Sequence, residues 1–159
     1  MESRAKELAE RLRGFNGEVI AFVERCDEQD WKKICAWEQW PVGVTARHIG
    51  AGHYSAVNLS RKIIAGEPLP QLTGEQVVEM ANQHAREHAE CTRRDVLDIL
   101  NRNGGEMVEF VAGLDDSELD RTGYLSMLGG DVTVRQFIEN VVLISGKEHL
   151  GNMKTAVGL

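Results

Sequence analysis

His48 and His149 are the residues of this chain whose type and placement point to chemistry. Each falls on the apolar stripe of a predicted helix. His149 follows Ile138, Val142 and Ser145 along the stretch Asp131–Leu150, and His48 follows Val44 in the helix after Pro41. Neutral imidazole is the commonest protein metal ligand, and a catalytic zinc-type centre takes three protein ligands and keeps one position open. Two histidines aimed at one core supply two of the three. A histidine at 145 would complete an i, i+4 pair with His149, but Ser145 stands there on the same face. Its hydroxyl is rarely ionised at neutral pH and is a poor ligand for zinc or nickel. It can hydrogen-bond a bound water instead, or steady a neighbouring ligand.

The other three histidines are read against the ordinary fate of a histidine on a helix, which is a hydrogen-bonded core or rim position. His84 and His88 stand four apart in Gln83-His84-Ala-Arg-Glu-His88, a spacing that can chelate a metal from one helix face. Charged neighbours make a solvated or rim pair the simpler reading, and the pattern is not the His-Glu-x-x-His of metalloproteases. His84 turned inward is the reserve third ligand. His53 lies five residues after His48, off its face, and is expected at the rim. The small residues Gly50, Ala51, Gly52 and Ala56 beside His48 mean either a cavity or close helix packing. No residue stands out as a nucleophile or general base.

The elements that would position these groups are helical. Leu8, Leu12, Phe15, Val19, Phe22 and Val23 mark one buried face of a helix over about Ser3–Cys26. The connector Asp27–Gly43 holds all three tryptophans, Trp31, Trp37 and Trp40. They are expected to cap the helical core, with one at a pocket mouth as the functional option. A second helix spans about Val44–Ala65, with Val44, His48, Gly52, Ser55, Leu59 and Ile63 on one face. Gly66-Glu-Pro-Leu-Pro70 ends it. The capping-box pattern Thr73-Gly-Glu-Gln76 opens a third helix that continues to Leu114, some forty residues, with Asn101–Gly105 placed to kink it. Asp115–Leu119 reads as a turn opening a short helical piece, and Tyr124–Gly130 as a loop. Thr133-Val-Arg-Gln136 caps the last helix, which runs to near Val157. No strand pattern competes. The fold class is all-α, an up-down four-helix bundle with a long connection before the last helix. Residues 1–159 are expected to form a single domain.

Composition narrows the partners. The net charge of −7 and the lack of a Lys/Arg cluster argue against nucleic acid, because phosphate binding needs basic surface. Arg93-Arg94 is flanked by Glu90 and Asp95 and reads as a solvated face. No apolar run approaches the ~20 residues that span a bilayer, and the N-terminus shows no apolar signal core. A cytoplasmic location is expected. Cys26, Cys35 and Cys91 are widely spaced, odd in number and form no CxxC pair, as reduced thiols would be.

Three segments carry a family resemblance. Trp40-Pro-Val-Gly-Val-Thr-Ala-Arg-His48-Ile-Gly50 resembles the tryptophan, helix turn and histidine of DinB/YfiT-like proteins. Asn82–Ala89 with Arg94-Asp-Val-Leu97, and the closing Glu148-His149-Leu150, are similar to the same superfamily. It includes the mycothiol-dependent maleylpyruvate isomerase N-terminal domain and the bacillithiol transferases. The resemblance implies a four-helix bundle, usually a homodimer. It also implies a divalent metal, zinc or nickel, held by one histidine on the second helix and an HxxxH pair on the last. His48 matches the first ligand and His149 the last, while the middle ligand falls on Ser145. The activity it implies is a metal-dependent transfer of a low-molecular-weight thiol, or a related hydrolysis or isomerisation of a small molecule. The competing expectation is a non-catalytic, metal-free member that binds a small molecule or acts as a dimeric interaction protein. The departure at Ser145 favours that second expectation.

Overall fold

The computed structural model describes residues 3–159. Four long helical elements carry the fold: α1 (Arg4–Arg25), α3 (Val42–Ala65), α5 (Arg93–Ala112), and a composite last helix. The last helix is built from α7 (Val134–Ile138), a π-helical stretch (Glu139–Ile144) and α8 (Ser145–Ala156). Two short helices, α2 (Glu28–Lys32) and α6 (Asp116–Leu119), and the 14-residue α4 (Gly74–Glu87) lie on the connections. α5 packs against both α1 and α3, and α3 packs against the last helix. The result is a four-helix bundle.

Its core follows the periodicity of each helix. α1 buries Leu8, Leu12, Phe15, Val19, Phe22 and Val23. They meet Val96, Leu100, Met107 and Val111 of α5, and Phe137, Ile138, Val142, Leu150 and Met153 of the last helix. Full burial of each large aliphatic or aromatic side chain contributes roughly 1.5–3 kcal/mol before conformational entropy is counted. The caps form where the sequence places them. Thr73 and Gln76, Asp115 and Glu118, and Thr133 and Gln136 each make a reciprocal capping box.

Three expectations are corrected. The forty-residue third helix is two helices, α4 and α5, separated by a break at His88–Thr92. Thr92 is the N-cap of α5, and its hydroxyl accepts from Asp95 N at 3.1 Å. Asn101–Gly105 stays helical. Gly104 is required there because a Cβ would overlap the Asn16 side-chain amide of α1. Tyr124–Gly130 is not a plain loop. β1 (Thr122–Leu125) and β2 (Gly130–Thr133) form an antiparallel hairpin pairing Thr122 with Thr133 and Leu125 with Gly130. Gly129 and Gly130 adopt φ of 87° and 137°, which glycine tolerates where other residues would be strained. Finally, the buried face of α3 runs through Ala46, Ile49, Gly50, His53, Ala56, Val57, Ser60 and Ile63. His53 is therefore a core residue, His48 lies at the edge of that stripe, and Ser55 is exposed.

Candidate active site

The site is assembled at one end of α3 by a tight loop. Residues 33–41 link α2 to α3, and backbone bonds fold them back on themselves. Cys35 N donates to Trp40 O at 2.9 Å, Gln39 N to Cys35 O at 2.9 Å, and Val42 N to Lys33 O at 2.8 Å. Among the described residues, Gln39, at φ 60°, is the non-glycine residue in left-handed backbone. Such strain costs on the order of 1–3 kcal/mol and persists only where surrounding contacts hold it. Gln39 sits between the two residues the loop delivers, Glu38 and Trp40.

Glu38 reaches the last helix. Its Oε2 lies 2.6 Å from His149 Nδ1 and accepts from Asn152 Nδ2 at 2.9 Å. The Glu38 side chain is 2% exposed and that of His149 is 18% exposed. An ionised carboxylate only accepts, so Nδ1 of the imidazole carries the donated proton and Nε2 of the neutral ring keeps its lone pair free. The other carboxylate oxygen, Glu38 Oε1, is buried without a hydrogen-bond partner. An unsatisfied buried acceptor of this kind costs about 1–3 kcal/mol. Evolution tolerates that at working sites more readily than elsewhere.

The two histidines singled out by sequence are neighbours. The rings of His48 and His149 lie 5.0 Å apart, centroid to centroid, at 81°. Trp40 closes the group, edge-on to His48 at 5.1 Å and stacked on His149 at 6.3 Å and 23°. Its Nε1 donates to Asn82 Oδ1 of α4 at 2.9 Å. Burial pushes the His48 pKa down to about 4, helped by charge on His149 and His84 and opposed by Glu38. His48 is therefore a neutral ring with a lone pair to offer.

Ser145 is half-buried on α8, one turn before His149. Gly146 beside it packs against Phe15, whose ring carbon would stand 2.6 Å from a Cβ there. His84 and His88 face the same small cavity as His48, with Trp40, Arg47 and Ala51. Gly50 serves packing, since a Cβ would come within 2.7 Å of Ile99 Cγ2, while Ala51 lines the cavity. Among the three tryptophans, Trp40 takes the functional place. Trp31 lies flat over Gly43 and donates to Cys91 O at 2.9 Å, and Trp37 is 84% exposed. Sequence reasoning missed Glu38, Asn152 and Asn82, which lie off any apolar stripe.

Whether this donor set fits a divalent metal follows from the same geometry. His48 and His149 provide two imidazoles, position 145 provides a hydroxyl, and Glu38 is engaged behind His149 on Nδ1. Among the described residues, no group of three His, Cys, Asp or Glu side chains stands in position to hold a metal ion. The residues present do not make a three-ligand metal centre.

The model of the DinB superfamily matches residues 11–143. The chain belongs to the DinB superfamily. The match takes in Glu38, Trp40 and His48 and stops short of Ser145 and His149. Among solved structures, this DinB chain is similar to YfiT from Bacillus subtilis, with a TM-score of 0.77 and 13% identity. The similarity covers 96% of this chain and 85% of that one. YfiT is described as a probable metal-dependent hydrolase with an unusual four-helix bundle topology. At that identity the likeness establishes the shared bundle. No curated protein matches the chain. Among the described residues, no helix is long and apolar enough to cross a membrane.

Proposed function

We propose that this DinB chain is a hydrolase or group-transfer enzyme for a small molecule, with His149 as its general base. The observation that carries this reading is the buried Glu38–His149 contact of 2.6 Å, backed by Asn152. A carboxylate behind Nδ1 fixes the ring's orientation and tautomer and stabilises the imidazolium that forms when Nε2 takes a proton. Nε2 would accept the proton of a water or of a low-molecular-weight thiol as its oxygen or sulfur attacks an electrophilic carbon. The same proton then passes to the departing group. His48, held neutral beside it, orients the nucleophile through its own ring nitrogen. YfiT, described as a probable metal-dependent hydrolase, supports hydrolysis as the reaction class. Position 145 lacks the third ligand, so the proton transfers run through side chains alone.

A small ester such as p-nitrophenyl acetate serves as the probe. His149→Ala should lower kcat/KM about 10²–10⁴-fold, the range of a positioned general base. Glu38→Gln should lower kcat while leaving KM nearly unchanged. The second reading, a non-catalytic binding protein, draws on Ser145 and on the small cavity beside His48, about 20 Å³. Equal rates for wild type and His149→Ala would favour it and refute the base.

A further inference from the structure

The cavity between α3 and α4 is lined by one guanidinium and three imidazoles, Arg47, His48, His84 and His88, and by no carboxylate. Arg47 is the fixed charge among them, and the three imidazoles add ring N–H donors. The groups disfavour one another's charge. His48 is held down first by burial and then by charge on His149 and His84, and His88 by burial, Arg47 and His84 with Glu87 opposing. Arg47 forms no salt bridge with any described residue. Arg47 and His88 also border a second, wider cleft of about 500 Å³ that includes Arg102 and the carboxylates Glu87, Glu90, Asp95 and Asp98. The small cavity is therefore the inner end of a larger space.

We infer that the α3–α4 seam binds the oxyanion of a small molecule, a carboxylate or phosphate group, with a donor-bearing or cationic part of that molecule facing the carboxylates of the adjoining cleft. Guanidinium matches an oxyanion through two parallel N–H donors, and imidazole N–H groups add further charge-assisted bonds. The cavity of about 20 Å³ has room for one water. The anion's entry therefore requires α4 to shift outward. α4 is built to allow this. It buries no residue, it is entered through a loop holding Pro68 and Pro70, and its polar tie to the site is the Asn82–Trp40 bond. Elements with so few buried contacts are the ones that open at low free-energy cost. The anion cavity shares His48 and Trp40 with the proposed active site but not Glu38 or His149, so Arg47 and His84 variants test it separately from the general base.

Inorganic phosphate and acetate are the probes, titrated into the full chain at constant ionic strength. Histidine ring C–H resonances of His84 and His88 provide the readout. Saturable shifts are expected with at least one probe. Phosphate alone would mark a phosphate-bearing ligand, and both would mark a general oxyanion site. Arg47→Gln should weaken binding about tenfold, the scale of one charge-assisted contact, and His84→Gln by about threefold or more. His84 is exposed on α4, so its replacement does not threaten the fold. Arg61→Gln removes a cation about 20 Å further along α3 and should leave binding unchanged. Absence of saturable shifts with both probes overturns the inference. So does equal binding by wild type, Arg47→Gln and His84→Gln, or equal weakening by Arg61→Gln and Arg47→Gln.

Discussion

Acidification should destabilise this protein through His53, by an amount the structure sets. His53 lies in the core of α3, 1% exposed, with its Nε2 2.9 Å from Asn16 Oδ1. Asn16 Nδ2 donates to the Leu100 carbonyl at 3.0 Å, which fixes the amide with its oxygen toward the ring. His53 Nε2 must therefore carry the hydrogen, and Nδ1, buried without a partner, must stay bare. Protonating Nδ1 would place an unpaired charge among apolar side chains. Burial accordingly pushes the His53 pKa down to about 4. The unfolded chain titrates near 6.5 and binds more protons than the folded one throughout this window. The stability His53 contributes is full above about pH 6.5 and is lost as pH falls toward 4. At pH 5 the loss is about 2 kcal/mol, approaching a limit of about 3.4 kcal/mol below pH 4. Urea unfolding followed by circular dichroism at pH 7.5 and pH 5.0 measures it. His53→Gln is the reference, because its amide can still donate to Asn16 Oδ1 and does not titrate. The stability gap between wild type and His53→Gln should shrink by about 2 kcal/mol on acidification. Shared carboxylate effects cancel in that difference. A gap that stays constant within about 0.5 kcal/mol, the scatter expected of independent sites, would refute the reasoning.

Ser145→His restores an i, i+4 histidine pair with His149 on α8. Zinc affinity, measured by chelator competition, should rise at least about tenfold over wild type, and an unchanged affinity would show that position 145 does not face the His48–His149 pair. Gly43→Ala drives a methyl group into the Trp31 indole and should cost about 1–3 kcal/mol of stability, with a red-shifted tryptophan emission as the Trp31–Cys91 bond is lost. Unaltered stability and emission would contradict that packing.

Periodicity read the long helices of the bundle because their apolar contrast is strong. α1 is the clearest case, with its expected face buried residue for residue. It read the register of α3 less well. Gly50, Ala51 and Gly52 give that helix little contrast, and a stripe drawn through His48 excluded His53. The face that packs on α5 is one to two residues away, where Gly50 lets α5 approach and His53 finds Asn16. The break between α4 and α5 had a local signal in Thr92-Arg-Arg-Asp95, the S/T-x-x-D/E form of a helix start. The apolar pattern running past it outweighed that signal. The hairpin is too short for alternation to register, with four residues per strand and Val132 alone among the eight buried.

The site shows a different limit. His48 and His149 were legible because both sit near apolar stripes. Glu38 was not, because its contact with His149 spans 111 residues and depends on the backbone of one strained loop residue. Nothing in Trp37-Glu38-Gln39-Trp40 distinguishes an exposed glutamate from a buried one. The exposure of Trp37 and the burial of Glu38 are settled only when Gln39 turns left-handed and the loop bonds close. That carboxylate alters what Ser145 means. A metal centre needs position 145 to donate, whereas a carboxylate-backed histidine needs only a free Nε2 and space beside it. A serine at 145 leaves more space there than an imidazole would. The residue that breaks the histidine triad is thus compatible with an acid–base role for the histidine that remains.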